Sequence, residues 1–155
     1  MRHLVKIVLI LSIFQLGSPV IAAESNDNEL VQMFAWWNAA IKDQNGLTEE
    51  AFRRYYTEDA AIIINSKERV RGIKNLVTHF KNIQQKVESV EIVLPFEEGF
   101  KSGNRIFTYH KVRRRVDGVD GESHIMGYAI VEDGKIALAD FISYQPPGSE
   151  TSPAH

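Results

Sequence analysis

The stretch AFRRYYTEDAAIIIN, residues 51–65, joins a charged, aromatic segment to an abruptly apolar one. The aromatic residues within 52–56 share one face of a predicted helix, which ends at Glu58 and Asp59. Residues 60–64 are rich in isoleucine, and β-branched side chains pack well on a pleated sheet. The stretch therefore predicts a helix followed directly by a short buried strand.

Helical patterns lie on both sides of this connection. Apolar residues recur every three to four positions within 28–43, which predicts an amphipathic helix that Asn-Gly at 45–46 ends. Thr48 is a favourable first residue for the helix of the quoted stretch, because its hydroxyl can accept from an exposed backbone amide. A further apolar stripe within 71–87 predicts a third helix.

The second half of the chain changes to alternating apolar and polar residues. The pattern predicts strands at 90–97, 105–116, 123–131 and 135–144, with Asp-Gly turns between them. Helices followed by strands are typical of the α+β class. We therefore expect three N-terminal helices packed on a curved antiparallel sheet.

The N-terminus has the layout of a secretory signal. Arg2 and Lys6 provide a basic start, 7–16 are almost purely apolar, and small residues follow. The apolar run is shorter than the roughly 20 residues of a membrane-spanning helix. We expect cleavage after Ala22 or Ala23, export to the periplasm or the extracellular space, and no membrane anchor afterwards.

Composition excludes several classes of site. The chain has 155 residues, a formal net charge of −2 and no cysteine, and loss of Arg2 and Lys6 with the signal makes the charge −4. An acidic balance disfavours a nucleic-acid partner, and the lack of cysteine excludes disulfides and thiolate chemistry. The histidines show no metal-ligand spacing and no glycine-rich phosphate loop is present, so we expect neither metal nor cofactor.

Four stretches in this order, WWNAAIKDQN, AFRRYYTEDAAIII, VRGIKNLVTHF and VEDGKIALADFISY, give the chain a family resemblance. Residues 28–145 resemble the nuclear transport factor 2-like (NTF2-like) superfamily, and within it the SnoaL-like group of polyketide cyclase and ketosteroid isomerase-like proteins. The resemblance implies a cone-shaped, cystatin-like α+β fold with a pocket between helices and sheet. With the signal layout before it and Pro-Pro-Gly at 146–148 after it, the expected boundaries are 1–23 for the signal peptide, 24–145 for the domain and 146–155 for a flexible C-terminal tail.

The resemblance carries over only in part at the level of single residues. Isomerases of the ketosteroid type use a general-base carboxylate near the end of the short strand. Here that strand ends at Asn65, whose amide cannot remove a proton. His110 and His124, on neighbouring predicted strands, are the candidate catalytic residues, because histidine transfers protons near neutral pH and dehydratase-like relatives use it so.

Two other titratable residues have structural explanations. His79 lies at the flank of its helix stripe, which is typical of a boundary residue. Asp140 lies inside the last predicted strand, where a buried carboxylate without a partner would be costly. A salt bridge to one of the arginines at 113–115 is the expected explanation. Alternation groups Asp140 with Leu138 and Ile142, and the resemblance implies that the other set faces the pocket.

The expected pocket takes a small hydrophobic molecule. Aromatic side chains supply apolar walls and a few polar groups orient the ligand. The predicted substrate-binding residues are Trp37, Tyr56, Asn65 and Phe141. The last strand is apolar on both faces, so we also expect a homodimer through the sheet, with an interface set of Ile136, Leu138, Ile142 and Tyr144.

Two functions remain open from the sequence. The first is a cofactor-free isomerase, cyclase or dehydratase that performs acid–base chemistry on a hydrophobic carbonyl compound. The second is a non-catalytic ligand-binding or dimerisation module, which Asn65 in place of a carboxylate favours.

Overall fold

The computed structural model describes residues 27–146, and these form three helices and seven strands. The predicted signal peptide and residues 147–155 of the predicted tail lie outside the described residues. The helices are α1 (Glu29–Ala40), α2 (Glu49–Arg53) and α3 (Ile73–Lys86). The strands are β1 (Tyr56–Ile64), β2 (Lys67–Arg71), β3 (Ser89–Ile92), β4 (Glu98–Ser102), β5 (Arg105–Val116), β6 (Val119–Glu132) and β7 (Lys135–Tyr144).

The helices begin where the local sequence satisfies their exposed amides. The Asn28 side chain accepts from two amides of the first turn of α1, each at 3.1 Å. Thr48 accepts from the Ala51 amide at 3.2 Å at the start of α2, as predicted. Helix α3 instead follows Gly72, whose φ of 81° belongs to the left-handed region that favours glycine.

One mixed sheet contains all seven strands, in the order β2-β1-β7-β6-β5-β3 with β4 also paired to β5. Strand β1 runs parallel to β7, and the other pairs are antiparallel. The prediction of a purely antiparallel sheet is therefore wrong at β1. Only α1 and α2 precede the sheet, because the β1–β2 hairpin comes before α3.

Four segments differ from their predicted structure, and one is the strand predicted at 90–97, which spans only Ser89–Ile92. Strand β1 begins at Tyr56 rather than residue 60, because the Ile136 amide donates to the Tyr55 carbonyl at 2.8 Å and draws this end of the chain into the sheet. Strand β2 lies in the polar segment between the predicted strand and the third predicted helix, where the sequence analysis predicted no strand. Strand β4 was not predicted, since all its residues are exposed and no apolar alternation marks it.

Gly127, in the middle of β6, has a φ of 152°. A Cβ atom on this residue would lie 2.1 Å from the Asp140 carbonyl oxygen of β7. Only glycine permits this close approach of the two strands, and glycine kinks introduce curvature into sheets. The helices pack against one face of the sheet, here called the inner face, and the opposite face is the outer face.

The helices pack on the inner face. The Asn38 side chain of α1 exchanges two hydrogen bonds with the Ile92 backbone of β3, at 2.7 and 2.8 Å. Buried residues of β5, β6 and β7 alternate with more exposed ones, which assigns each strand an inner and an outer set. Ile136 belongs to the inner set and is fully buried, so its predicted place in an outer interface is wrong. A bulge opposite Ile130 and Val131 reverses the alternation in this part of β7.

Candidate functional site

An apolar cavity of about 250 Å³ lies between α1, α3 and the inner face of the sheet. Its wall contains aromatic and aliphatic side chains from both layers, and none of the described residues that line it is Asp or Glu. Trp37, Tyr56, Phe141 and His110 line the cavity as the sequence predicted. These four residues come from α1, β1, β7 and β5, so the fold alone brings them together.

The rings of Phe34, Phe96 and Phe141 surround His110. Their centroids lie 5.1, 5.5 and 5.6 Å from the imidazole centroid. His110 is only 2% exposed, and its Nδ1 lies 3.2 Å from the Thr108 hydroxyl oxygen. The imidazole is therefore fixed in place by an apolar cage and one hydrogen bond.

Burial lowers the pKa of His110 to about 4, because the cage disfavours the charged form. The side chain is therefore neutral at pH 7. Within residues 27–146, no protein group hydrogen-bonds its second ring nitrogen, Nε2. A neutral imidazole with one committed nitrogen and one uncommitted nitrogen can orient a polar atom of a molecule in the cavity.

Two further polar groups of the wall have weak partners or none. The Tyr56 hydroxyl donates to the Met33 sulfur at 3.1 Å, and burial raises the pKa of Tyr56. A thioether is a weak acceptor. The Trp37 Nε1 donor is buried and has no hydrogen-bond partner among the described residues. An unsatisfied donor of this kind costs about 1–3 kcal/mol, which a packed core would normally avoid.

Arg69 and His79 lie at the open end of the cavity. Arg69 of β2 is exposed, and His79 of α3 is half-buried, yet both line the cavity. The pKa of His79 is lowered, first by burial and then by the positive charge of Arg69. His79 is therefore a boundary residue, as predicted, but the boundary is that of the cavity.

Asn65 does not line the cavity, which corrects its predicted role. It is exposed and exchanges hydrogen bonds with the Ser143 backbone, donating at 3.2 Å and accepting at 2.9 Å. Asn65 and Ser66 have φ angles of 52° and 61° and form the two-residue turn of the β1–β2 hairpin. Asparagine tolerates this left-handed conformation, so Asn65 serves the turn.

His124 also lies outside the cavity, on the outer face of the sheet. Its Nδ1 is 2.5 Å from the Tyr109 hydroxyl, and its Nε2 is 3.3 Å from a Glu122 carboxylate oxygen. The two candidate histidines are thus separated by the sheet. The structure places only His110 beside Trp37 and Phe141.

Asp140 lies on the outer face, where alternation placed it, but its partner differs from the prediction. The Tyr128 hydroxyl donates to its carboxylate at 3.4 Å. The expected salt bridge is not formed. Arg113 pairs with Glu122 and Arg115 with Glu88, each at 3.1 Å. Arg114 donates to the Ser123 hydroxyl at 2.8 Å.

Several cavity residues were missed as site residues by the sequence analysis. Phe34 and Phe80 belonged to predicted helix stripes, and their helical spacing predicted burial without distinguishing core from cavity. Thr108 shares a strand face with His110 by simple alternation, so it could have been predicted as the partner. Arg69 lies on β2, a strand that the sequence analysis did not predict.

The chain matches no protein-family model and no curated protein sequence. Solved structures resemble it in fold. An NTF2-like protein of unknown function from Exiguobacterium sp. 255-15 is 14% identical, with a TM-score of 0.61 over 77% of this chain and 99% of that chain. A protein described as a SnoaL-like polyketide cyclase, from Jannaschia sp. CCS1, is 13% identical, with a TM-score of 0.57 over 75% and 81%.

A third similar structure is a protein with a ketosteroid isomerase-like fold from Catenulispora acidiphila DSM 44928, in complex with trimethylamine. It is 12% identical, with a TM-score of 0.56 over 74% of this chain and 85% of that chain. Together these likenesses confirm the NTF2-like fold predicted from the sequence. Identities this low establish the fold and leave the activity to be argued from the site.

Residues 27–146 contain no cluster of three or more histidine or acidic side chains suited to a metal ion. No helix in the same range combines the length and apolar character needed to cross a membrane.

Proposed function

We propose that this protein binds a small, predominantly apolar molecule in the inner cavity, with neutral His110 as its main polar contact. The observation that carries the proposal is the uncommitted Nε2 of a caged, neutral imidazole beside a cavity of about 250 Å³. Pockets for drug-sized ligands measure about 300–1,000 Å³, so a compact molecule of one or two rings fits this cavity better.

The wall of the cavity does not suit a small cation. The relative from Catenulispora acidiphila is in complex with trimethylamine, and aromatic rings favour such cations. In this chain no carboxylate belongs to the described lining, and the charged residue at the open end is Arg69. A positive charge at that end raises the energy of a cation in the cavity.

Cofactor-free catalysis is the second candidate function, and the free Nε2 of His110 is the observation that favours it. With a pKa of about 4 the imidazole is unprotonated at pH 7, so it acts as a hydrogen-bond partner or weak base rather than as an acid. No carboxylate of the described lining can assist it. Replacement of His110 by Gln would lower any turnover by roughly 10²- to 10⁴-fold.

Calorimetric titration with cyclohexanone, a compact ketone, tests the binding proposal. We expect saturable binding to the parent protein and loss of binding in Val112→Phe, because Val112 lines the cavity and a ring there fills it. Val116→Phe is the matched control, since Val116 is also half-buried on β5 but does not line the cavity. Equal binding by both variants would contradict the proposal.

The proposal extends to assembly as a homodimer through the outer face. Large hydrophobic side chains are exposed there, and Ile142 is 58% exposed and Met126 42%. Exposed apolar patches on a sheet are typical of protein interfaces. A second copy of this chain would cover these residues without closing the inner cavity, because the cavity lies on the opposite face.

Export of the mature chain is part of the same proposal. It rests on the basic, apolar and small-residue order of 1–23. Mass spectrometry of protein recovered outside the cytoplasm tests it. A mature N-terminus at residue 23 or 24 supports cleavage, and a chain that still carries 7–16 contradicts it.

A further inference from the structure

Strand β2 carries a bulge that turns Arg69 toward the open end of the cavity. In the β1–β2 ladder Ile62 pairs with Val70 and Ile63 with Glu68, so Arg69 is an extra residue without a partner in the register. Regular alternation would place Arg69 and Val70 on opposite faces of the strand. Because of the bulge, Val70 is buried and the neighbouring Arg69, although exposed, also lines the cavity at its open end. Bulges re-aim side chains in this way next to binding sites.

The guanidinium of Arg69 forms no ion pair with a carboxylate of the described residues. Within residues 27–146 it has no ion-pair or hydrogen-bond partner. The adjacent carboxylate, Glu68, is held by Arg71 at 2.7 Å. His79 stands beside Arg69 across the opening and supplies a second nitrogen donor or acceptor. The opening of the cavity is therefore cationic, and its interior is apolar.

We infer that the ligand is an amphipathic monoanion, with an apolar ring in the cavity and a carboxylate at the opening that binds Arg69. This inference rests on the proposed function, because it assigns a polar end to the molecule that the cavity holds. A planar carboxylate accepts two parallel hydrogen bonds from a guanidinium, which fixes the direction in which the ligand enters. The far side of the ring then reaches toward the caged His110, whose Nε2 is placed to contact a second polar atom carried there.

Two isosteric probes test the inference, cyclohexanecarboxylate and its neutral counterpart cyclohexanecarboxamide. We expect the carboxylate to bind the parent protein about fivefold more tightly at low salt, the effect of one exposed ion pair of about 1 kcal/mol. The preference should shrink at 0.5 M NaCl, because salt screens exposed charges. In Arg69→Gln the carboxylate should lose its advantage while the amide binds as before. Arg69→Lys should keep part of the preference.

Arg54→Gln is the matched control, because Arg54 is an exposed arginine of the helix-to-strand connection that does not line the cavity. It should bind both probes as the parent does. Equal affinity of the parent protein for the two probes overturns the inference and leaves the proposed function standing, since the amide still occupies the cavity. Failure of both probes to bind overturns the proposed function as well. Retention of the carboxylate preference in Arg69→Gln overturns the role of Arg69.

Discussion

His110 and His124 lie on adjacent antiparallel strands and face opposite sides of one sheet. His110 pairs with Ile125 across the β5–β6 ladder, and His124 pairs with Lys111. One imidazole is therefore caged by phenylalanines inside the fold, and the other binds Tyr109 on the outer face. Variants of His110 therefore test a function of the cavity, and the matching variants of His124 are the controls.

Replacement of His110 by Phe keeps a flat ring in the cage and removes its hydrogen-bonding nitrogens. We expect ketone binding to weaken by about two- to tenfold, the equivalent of one hydrogen bond worth about 0.5–1.5 kcal/mol. His124→Phe should bind as the parent does. Isothermal titration calorimetry measures both, and a larger loss in His124→Phe would count against the inner cavity as the site.

The burial of His110 makes folding stability depend on pH. Its pKa is about 4 in the folded protein against 6.5 for the free side chain, so between these values the unfolded chain binds a proton that the native protein does not. Stability should fall as the pH drops from about 6.5 to about 4, by up to ~3 kcal/mol. Below this range the loss from His110 is complete.

Urea unfolding at several pH values between 7.5 and 4 checks this, with His110→Phe as the comparison. The pKa of His79 is also lowered and contributes in the same direction, so the difference between parent and variant isolates His110. The variant should lose clearly less stability than the parent over this range. Parallel curves would show that His110 titrates normally.

Gly127 should tolerate no side chain. An added Cβ meets the Asp140 carbonyl oxygen at 2.1 Å, and the residue has a positive φ, so we expect Gly127→Ala to reduce the free energy of unfolding by about 3 kcal/mol or more. Gly134→Ala is the control, because Gly134 also has a positive φ, 74°, but open space around it. Its cost should be only about 1 kcal/mol. Thermal unfolding of both variants separates steric collision from backbone strain.

The outer face should govern assembly. We expect light scattering to give the mass of a dimer for the mature protein, and of a monomer for Ile142→Glu, because a carboxylate in an apolar interface loses its hydration. Ile142→Leu should remain dimeric, since it keeps the apolar surface. A parent protein that is monomeric at micromolar concentration would rule out the proposed interface.

The parts of the fold that regular periodicity encodes could be predicted from sequence. Trp37 stands on a helix stripe and Phe141 on the inner set of an alternating strand, so both were assigned to the pocket correctly. The register of the β5–β6 hairpin could also have been predicted from the sequence. Asp117 and Gly118, with φ angles of 51° and 75°, form a two-residue turn, and counting back from it pairs His110 with Ile125. This register places His110 and His124 on opposite faces of the sheet.

Local departures from periodicity were not predictable in the same way. The bulges that expose Arg69 to the cavity and bury Ile136 each insert one residue, and a single residue reverses every assignment of face beyond it. Strand β4 has no apolar pattern because all its residues are exposed, so only its pairing with β5 defines it. The volume of the cavity likewise depends on how closely the helices pack on the sheet. The pattern of apolar residues does not determine that distance.

The most direct test of the central claim follows the ring nitrogens of the histidines by ¹⁵N nuclear magnetic resonance at pH 7, with and without saturating cyclohexanone. His110 should give the spectrum of a neutral imidazole, and the ketone should shift its Nε2 resonance because its oxygen or ring lies against that atom. The His124 resonances should stay unchanged, since His124 lies on the other side of the sheet. A protonated His110, or a ketone that shifts His124 and leaves His110 unaffected, would contradict the account.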